Sequence, residues 1–319
     1  MQKVKRFFKW LFYLFVLLFI LLSTIPYLFE SKGIEAPKKP FKNSYFLSYN
    51  KTSYHFQLFI PKHIKHKTIL IHGFSGSTFT FRNNTDSLLK NESLVVAIDM
   101  PSFGFSDKTE TANYTDTNFI NATHVLMQQI NMLTTDEKWN LVGHSMGAIA
   151  IGKLASKYPS TIKSLIFIDG LPFNQSHSFL QKALLYPPNL KLADVVLEKK
   201  FLNFLSFKEL LSSAYNEPAD DFSVDGYLNP FKTKGSGSGI IRMFANMGYQ
   251  KINDSIINTF PKLVIWGKDD QWIPFNTAKE FIKKPKTTLL LIELTGHCPM
   301  ETKPNEVNLG ISKFMTTLE

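Results

Sequence analysis

Hydrophobic residues in this chain fall into short strand-like runs that alternate with stretches of helical spacing, and one long interruption follows neither rule. Apolar positions at 45–47 and 54–59 predict an antiparallel strand pair. Mainly apolar segments of strand type follow at 68–71, 94–99, 138–142 and 164–169, each of a length that suits a buried strand. Between them, 85–89, 116–133 and 148–158 read as helices, the second with Phe119, Ala122, Thr123, Leu126 and Ile130 on one face. This alternation predicts an α/β domain: a mostly parallel central sheet with helices on both faces. The pattern stops at Gly170. Residues 171–258 are rich in Phe, Leu and Lys, with a helical stretch at 195–213 and a Gly235-Ser236-Gly237-Ser238-Gly239 run expected to be mobile. They offer no strand of the parallel type. Strand and helix patterns resume at 262–266, 277–282, 288–292 and 306–318, so one domain over 44–319 carries a mostly helical insertion at 171–258.

Ahead of that domain runs an uncharged block from Trp10 to Phe29. Twenty residues at helical rise span about 30 Å, the hydrocarbon thickness of a bilayer. The competing reading is a cleaved signal peptide. Its apolar core is shorter, roughly 7–15 residues, and ends in a small-residue cleavage site. Thr24-Ile25-Pro26-Tyr27-Leu28 offers no such site. Residues 1–30 are therefore expected to be a membrane anchor, a transmembrane helix, and 31–43 a linker. Lys3, Lys5, Arg6 and Lys9 precede the block, which by the positive-inside rule keeps the N-terminus cytoplasmic and the domain on the extracytoplasmic side.

Charge changes the picture only there. The chain carries +10 overall, yet residues 1–40 hold seven Lys or Arg against two Glu, so half the excess sits in one-eighth of the length. That distribution reads as membrane topology, and no basic patch interleaved with aromatics points to a nucleic-acid partner. No His and Cys cluster has metal-ligand spacing, so neither a metal nor another cofactor is expected. The single cysteine, Cys298, excludes an internal disulfide framework.

The candidate chemistry starts at Gly143-His144-Ser145-Met146-Gly147, between the 138–142 run and a helical stretch. A serine between two glycines where a strand turns sharply into a helix is the nucleophile-elbow pattern. An ordinary Gly/Ser turn is the bland alternative. Acyl transfer by serine also needs a base, an acid to orient it, and donors for the oxyanion. Other strand ends offer them. His72-Gly73-Phe74 follows 68–71, and the Phe74 N–H can pair with that of Met146. Gly267-Lys268-Asp269-Asp270-Gln271-Trp272-Ile273-Pro274 follows 262–266, and Gly296-His297 follows 288–292. The order Ser145, Asp270, His297 is the one such a triad takes on sheets of this kind. Asp169 and Asp269 compete as the acid, but the Gly-x-x-Asp-x-x-Ile-Pro spacing fits Asp270. His72 is read as structural and His144 as packing. Cys298 is read as a small packing residue.

Together with Asp99-Met100-Pro101-Ser102-Phe103-Gly104-Phe105-Ser106, these motifs resemble the α/β-hydrolase superfamily, specifically its lid-bearing, serine-esterase-like members, over about residues 44–317. Ser102 stands where a glycine usually follows the proline. The resemblance implies the α/β-hydrolase fold, with 171–258 as a lid, and a membrane-anchored serine hydrolase cleaving carboxylic esters. An acylglycerol or another lipophilic ester is the candidate substrate class, on the indirect grounds of the anchor and the Phe-rich insertion. The serine argues against the relatives that use an aspartate nucleophile. A binding or receptor protein that keeps the fold, and an acyltransferase, are the alternatives.

Overall fold

The computed structural model describes residues 2–29, 33–174, 179–248 and 250–319. Eight strands form one sheet: β1 (Ser44–Tyr49), β2 (Thr52–Phe59), β3 (His66–Ile71), β4 (Ser93–Ile98), β5 (Trp139–His144), β6 (Ile162–Ile168), β7 (Lys262–Gly267) and β8 (Thr287–Ile292). Their order is β1-β2-β4-β3-β5-β6-β7-β8. The β1–β2 and β2–β4 pairs are antiparallel and all the others parallel, so β3 to β8 point their carboxyl ends at one edge. Every residue of β3, β4, β5 and β7 is buried, which is why their central positions are mostly apolar rather than alternating.

Helix α1 (Gln2–Thr24) precedes the sheet and is long and apolar enough to cross a bilayer, with almost all of its described side chains exposed. Within the domain, α2 (Thr85–Lys90), α3 (Asp116–Leu133) and α4 (Met146–Lys157) follow β3, β4 and β5. Helix α4 packs on β3, β5 and β6 with α3 beside it. After β6 the chain builds α5 (Pro187–Val196), α6 (Phe204–Tyr215), α7 (Asp221–Phe231), α8 (Ser236–Ala245) and the single turn α9 (Asp254–Ile257) before β7 begins. A short α10 (Pro299–Thr302) and the closing α11 (Pro304–Thr316) end the chain, α11 lying against β7 and α2.

Three local expectations are corrected. The 195–213 stretch is not one helix. It breaks at Asn203, whose side chain accepts the Leu205 and Ser206 N–H groups and so starts α6 afresh. The Gly235–Ser–Gly–Ser–Gly run is ordered as the first turns of α8 because it crosses α5 at close range. A Cβ on Gly237 would sit 2.4 Å from the Ala193 carbonyl oxygen. Residues 277–282 make only a short 3-10 turn, Phe275–Ala278, followed by irregular chain. Of the expected 31–43 linker, the described residues 33–43 are tied down: Ile34 exchanges backbone hydrogen bonds with Lys232 and Lys234, the Ile34 N–H donating at 2.9 Å and its carbonyl accepting at 3.0 Å.

Candidate active site

Ser145 ends β5 and begins α4 with φ 50° and ψ −115°, a left-handed conformation that a side chain tolerates only when its surroundings enforce it. They do. A Cβ on Gly143 would lie 2.4 Å from the Gly147 carbonyl oxygen, and one on Gly147 would lie 2.1 Å from that of Ile71. Only glycine fits at either place, so β3, β5 and α4 close up and turn Ser145 out. Its N–H donates to the Ile168 carbonyl at 2.9 Å. Met146 is the first residue of α4, so its N–H has no partner within the helix.

His297 follows β8 and is buried. Its Nδ1 lies 2.8 Å from Asp270 Oδ2. Asp270 Oδ1 accepts the N–H groups of Trp272 at 2.8 Å and Ile273 at 3.0 Å, so the carboxylate acts wholly as acceptor and Nδ1 carries the imidazole proton. Nε2 is left as the acceptor. Ser145, His297 and Phe74 line one cavity of about 150 Å³, whose other walls include Thr80, Phe207, Leu211, Ala214, Tyr227 and Trp272. Five of these come from within 171–258 or beside Asp270. Asp270 lies behind His297, and Met146 faces an adjoining cleft of about 40 Å³ with Met100, Met243 and Met247. Asp269 is half-buried, its N–H bonded to the Thr295 carbonyl.

Several neighbouring groups make contacts around this cavity that the sequence pattern did not specify. The His144 Nε2–H donates to the His297 carbonyl at 2.8 Å, and burial together with the nearby His297 lowers the His144 pKa far below its usual value. The Trp272 ring stacks on that of His297, centroids 5.4 Å apart. Asp169 is wholly buried, with Oδ1 accepting the Gly267 N–H at 2.9 Å and Oδ2 without a partner. Burial first, then the neighbouring Asp270 charge, push its carboxyl well above the ordinary range. One oxygen or nitrogen atom from each of Asp169, Asp270 and His297 converges within 4.8 Å. As a cation site this group is poor, because the Asp270 oxygens are already committed to three N–H donors.

Beside the cavity, His72 accepts the Met100 N–H on Nε2 and donates from Nδ1 to the Gly73 carbonyl, which leaves it no free nitrogen. His55, which carried no sequence pattern, pairs with buried Asp99 at 2.7 Å. Burial alone would raise the Asp99 carboxyl, but His55 and His72 outweigh it and hold it below the usual range. Asp99 also accepts the N–H groups of Thr78 and Phe105, so it fastens the loop after β3 to the loop after β4. Ser102 does adopt a left-handed backbone, φ 77°, where glycine would be unstrained. Its hydroxyl donates to the Gly239 carbonyl of α8 at 2.7 Å.

Residues 69–304 match the family model described as the alpha/beta hydrolase fold. The chain is 26% identical over 298 residues to a cis-3-alkyl-4-alkyloxetan-2-one decarboxylase of Shewanella oneidensis, covering 88% of this chain and 90% of that protein. It is 26% identical over 260 residues to Lipase 1 of Psychrobacter immobilis, covering 79% and 77%. Its fold is similar to that of a membrane phospholipase A, a bacterial virulence factor, with a TM-score of 0.65 at 19% identity over 98% of this chain and 99% of the other.

Proposed function

Because this chain belongs to the α/β-hydrolase fold family and has lipases among its relatives, we propose that it is a membrane-anchored serine hydrolase that cleaves carboxylic esters. One observation carries the reading. An elbow serine and an imidazole held by a carboxylate open into the same largely apolar cavity.

In the proposed reaction Ser145 Oγ attacks the ester carbonyl carbon and its proton passes to His297 Nε2. The carbonyl electron pair moves onto oxygen, where the N–H groups of Phe74 and Met146 receive it. Collapse restores the carbonyl, breaks the bond to the alcohol oxygen and sends the His297 proton out with it. Water repeats the sequence on the acyl-enzyme and releases the acid. Asp270 holds the imidazole tautomer and stabilises its charged form.

Residues 171–258 are proposed as the lid of a 44–319 domain, since Phe207, Leu211, Ala214 and Tyr227 contribute cavity walls. Those walls, the methionine-lined cleft beyond Met146 and the apolar α1 favour a lipophilic acyl ester. Residues 1–30 would serve as a single-pass anchor with a cytoplasmic N-terminus and an extracytoplasmic domain.

A fluorophosphonate probe and short p-nitrophenyl esters test the proposal. Labelling and turnover by the wild type, both abolished in Ser145→Ala, are expected. Labelling without turnover points instead to a binding protein that retains the nucleophile. Turnover that survives Ser145→Ala rules the serine out.

A further inference from the structure

The loop that carries His297 is held by the insertion, not by the sheet alone. Helix α6 ends in Ser213, Ala214 and Tyr215, and each makes a bond toward the site. The Ala214 carbonyl accepts the His297 N–H at 2.7 Å, and the Tyr215 carbonyl accepts the Gly296 N–H at 3.2 Å. A Cβ on Gly296 would lie 2.5 Å from the Ala214 oxygen, so the approach is as close as glycine permits. The Ser213 hydroxyl accepts the indole N–H of Trp272, the ring stacked on His297, at 3.2 Å.

This helix end is itself clamped. The Tyr215 hydroxyl donates to Glu301 Oε2 at 2.8 Å, four residues after the histidine. Glu301 is buried and also accepts from Arg82 and from the Tyr227 hydroxyl of α7. Since the Tyr227 proton is spent on Glu301, the Thr80 hydroxyl donates to the Tyr227 oxygen, which brings in the segment after Phe74. A second link joins Arg82 to the Ser223 hydroxyl of α7 at 2.7 Å, away from the histidine loop.

We infer that the C-terminal turn of α6, clamped through Tyr215 to Glu301, is the positioning element for His297, so that the base keeps its Asp270-bonded pose only while the insertion is seated on the sheet. The inference rests on His297 being the base proposed above. Helix α6 cannot leave the sheet without breaking the backbone bonds of Gly296 and His297, so an open insertion loosens the imidazole. Turnover before closure over a substrate is thereby suppressed. A shift of about 1 Å in a reacting group costs on the order of 100-fold in rate, so a partial loosening has a measurable effect.

The test compares Tyr215→Phe with Ser223→Ala in the full chain, embedded in lipid nanodiscs. Each removes one hydroxyl bond to the Glu301–Arg82 cluster, Ser223→Ala also losing the Ser223 hydroxyl bond to Asp220 Oδ2 at 2.6 Å, but only the first touches α6. Tyr215→Phe is expected to lower kcat on a short ester about tenfold with KM little changed, a fraction of the full displacement cost. It should also broaden the downfield proton resonance of the His297–Asp270 hydrogen bond. Ser223→Ala should lower Tm similarly while kcat and the resonance stay as in wild type. If the two variants match in kcat and spectrum, the positioning role is overturned and Tyr215 is merely structural. The resonance is read without turnover, so an inactive wild type would sink the hydrolase reading while the spectrum still decides this one. Should Tyr215→Phe fail to fold, Ser213→Ala, which frees the exposed Trp272 indole from the end of α6, is read for the same resonance, and a resonance and kcat unchanged from wild type overturn the positioning role.

Discussion

At the scale of single residues, the acid is where competing readings separate. Asp270 binds His297 directly and is oriented by two backbone donors, whereas Asp269 makes neither contact among the described bonds. Asp270→Asn keeps the shape but offers an amide where the imidazole N–H needs an acceptor. We expect it to lower kcat on the order of 10²–10⁴-fold with little change in KM, and Asp269→Asn to cost far less. Asp169 behaves differently. Its carboxyl keeps its proton in the fold at a pH where the unfolded chain gives it up, so folding binds a proton and stability falls as pH rises above the ordinary carboxylate range. Asn escapes that penalty. Asp169→Asn should therefore raise Tm at pH 7, an advantage that shrinks as pH falls and vanishes only below about pH 3, where the unfolded carboxyl is protonated as well. Its kcat should stay within about threefold of wild type, the span of a near-neutral substitution. Thermal melts at pH 7 and about pH 3 and one rate measurement check this, and a crippled Asp169→Asn would move the acid one strand earlier.

At the scale of elements, the α5–α8 crossing decides how the insertion is built. Alanine in place of a helical glycine gains roughly 1 kcal/mol of helix propensity, but overpacking against a fixed backbone costs typically about 1–3 kcal/mol. At Gly237 the added carbon meets a main-chain oxygen at 2.4 Å, so the clash wins and Gly237→Ala should lose about 1 kcal/mol and a few degrees of Tm. At Gly239 the nearest atom is the Ser102 hydroxyl at 3.3 Å, which can give way, and Gly239→Ala should be close to neutral. Paired melting curves distinguish the two. The same crossing shows what was legible. Fully buried strands announced themselves as apolar runs, and α3 matched its expected limits because an amphipathic face and a Thr115 cap agree. The Gly/Ser run could not be read, since its order comes from Ala193, some forty residues away, and composition alone says loop. The break at Asn203 was not read, because the apolar spacing continues through it.

For the whole molecule, the candidate site was legible wherever strand ends converge on one edge, because parallel strands bring residues at 72–74, 145, 270 and 297 together regardless of separation in the chain. The insertion's grip on the histidine loop was not, because carbonyls of Ala214 and Tyr215 leave no trace in side-chain pattern. Nor was the contact of α1 with the insertion, where the Phe19 and Tyr186 rings stack and Ser23 bonds the Tyr186 hydroxyl at 2.8 Å. If residues 1–30 are an anchor, a chain beginning at Gly33 should leave the membrane fraction and still cleave short esters. One beginning at Lys38 loses the two Ile34 backbone bonds as well and should melt a few degrees lower. Sedimentation and melting of the two chains test this, and a mature protein whose sequence starts near residue 30 would refute the anchor.

The strand order also sets a timetable. The elbow leaves the ribosome with β5, the insertion follows β6, and the histidine arrives only after β8, 152 residues behind Ser145. At about 5–20 residues per second, roughly 8–30 s pass between them. If Ser145 and His297 act as proposed, the growing polypeptide carries throughout that interval a serine turn with no base to activate it. On that proposal the chain could not attack esters around it while being made, and its chemistry would switch on only once synthesis is all but finished.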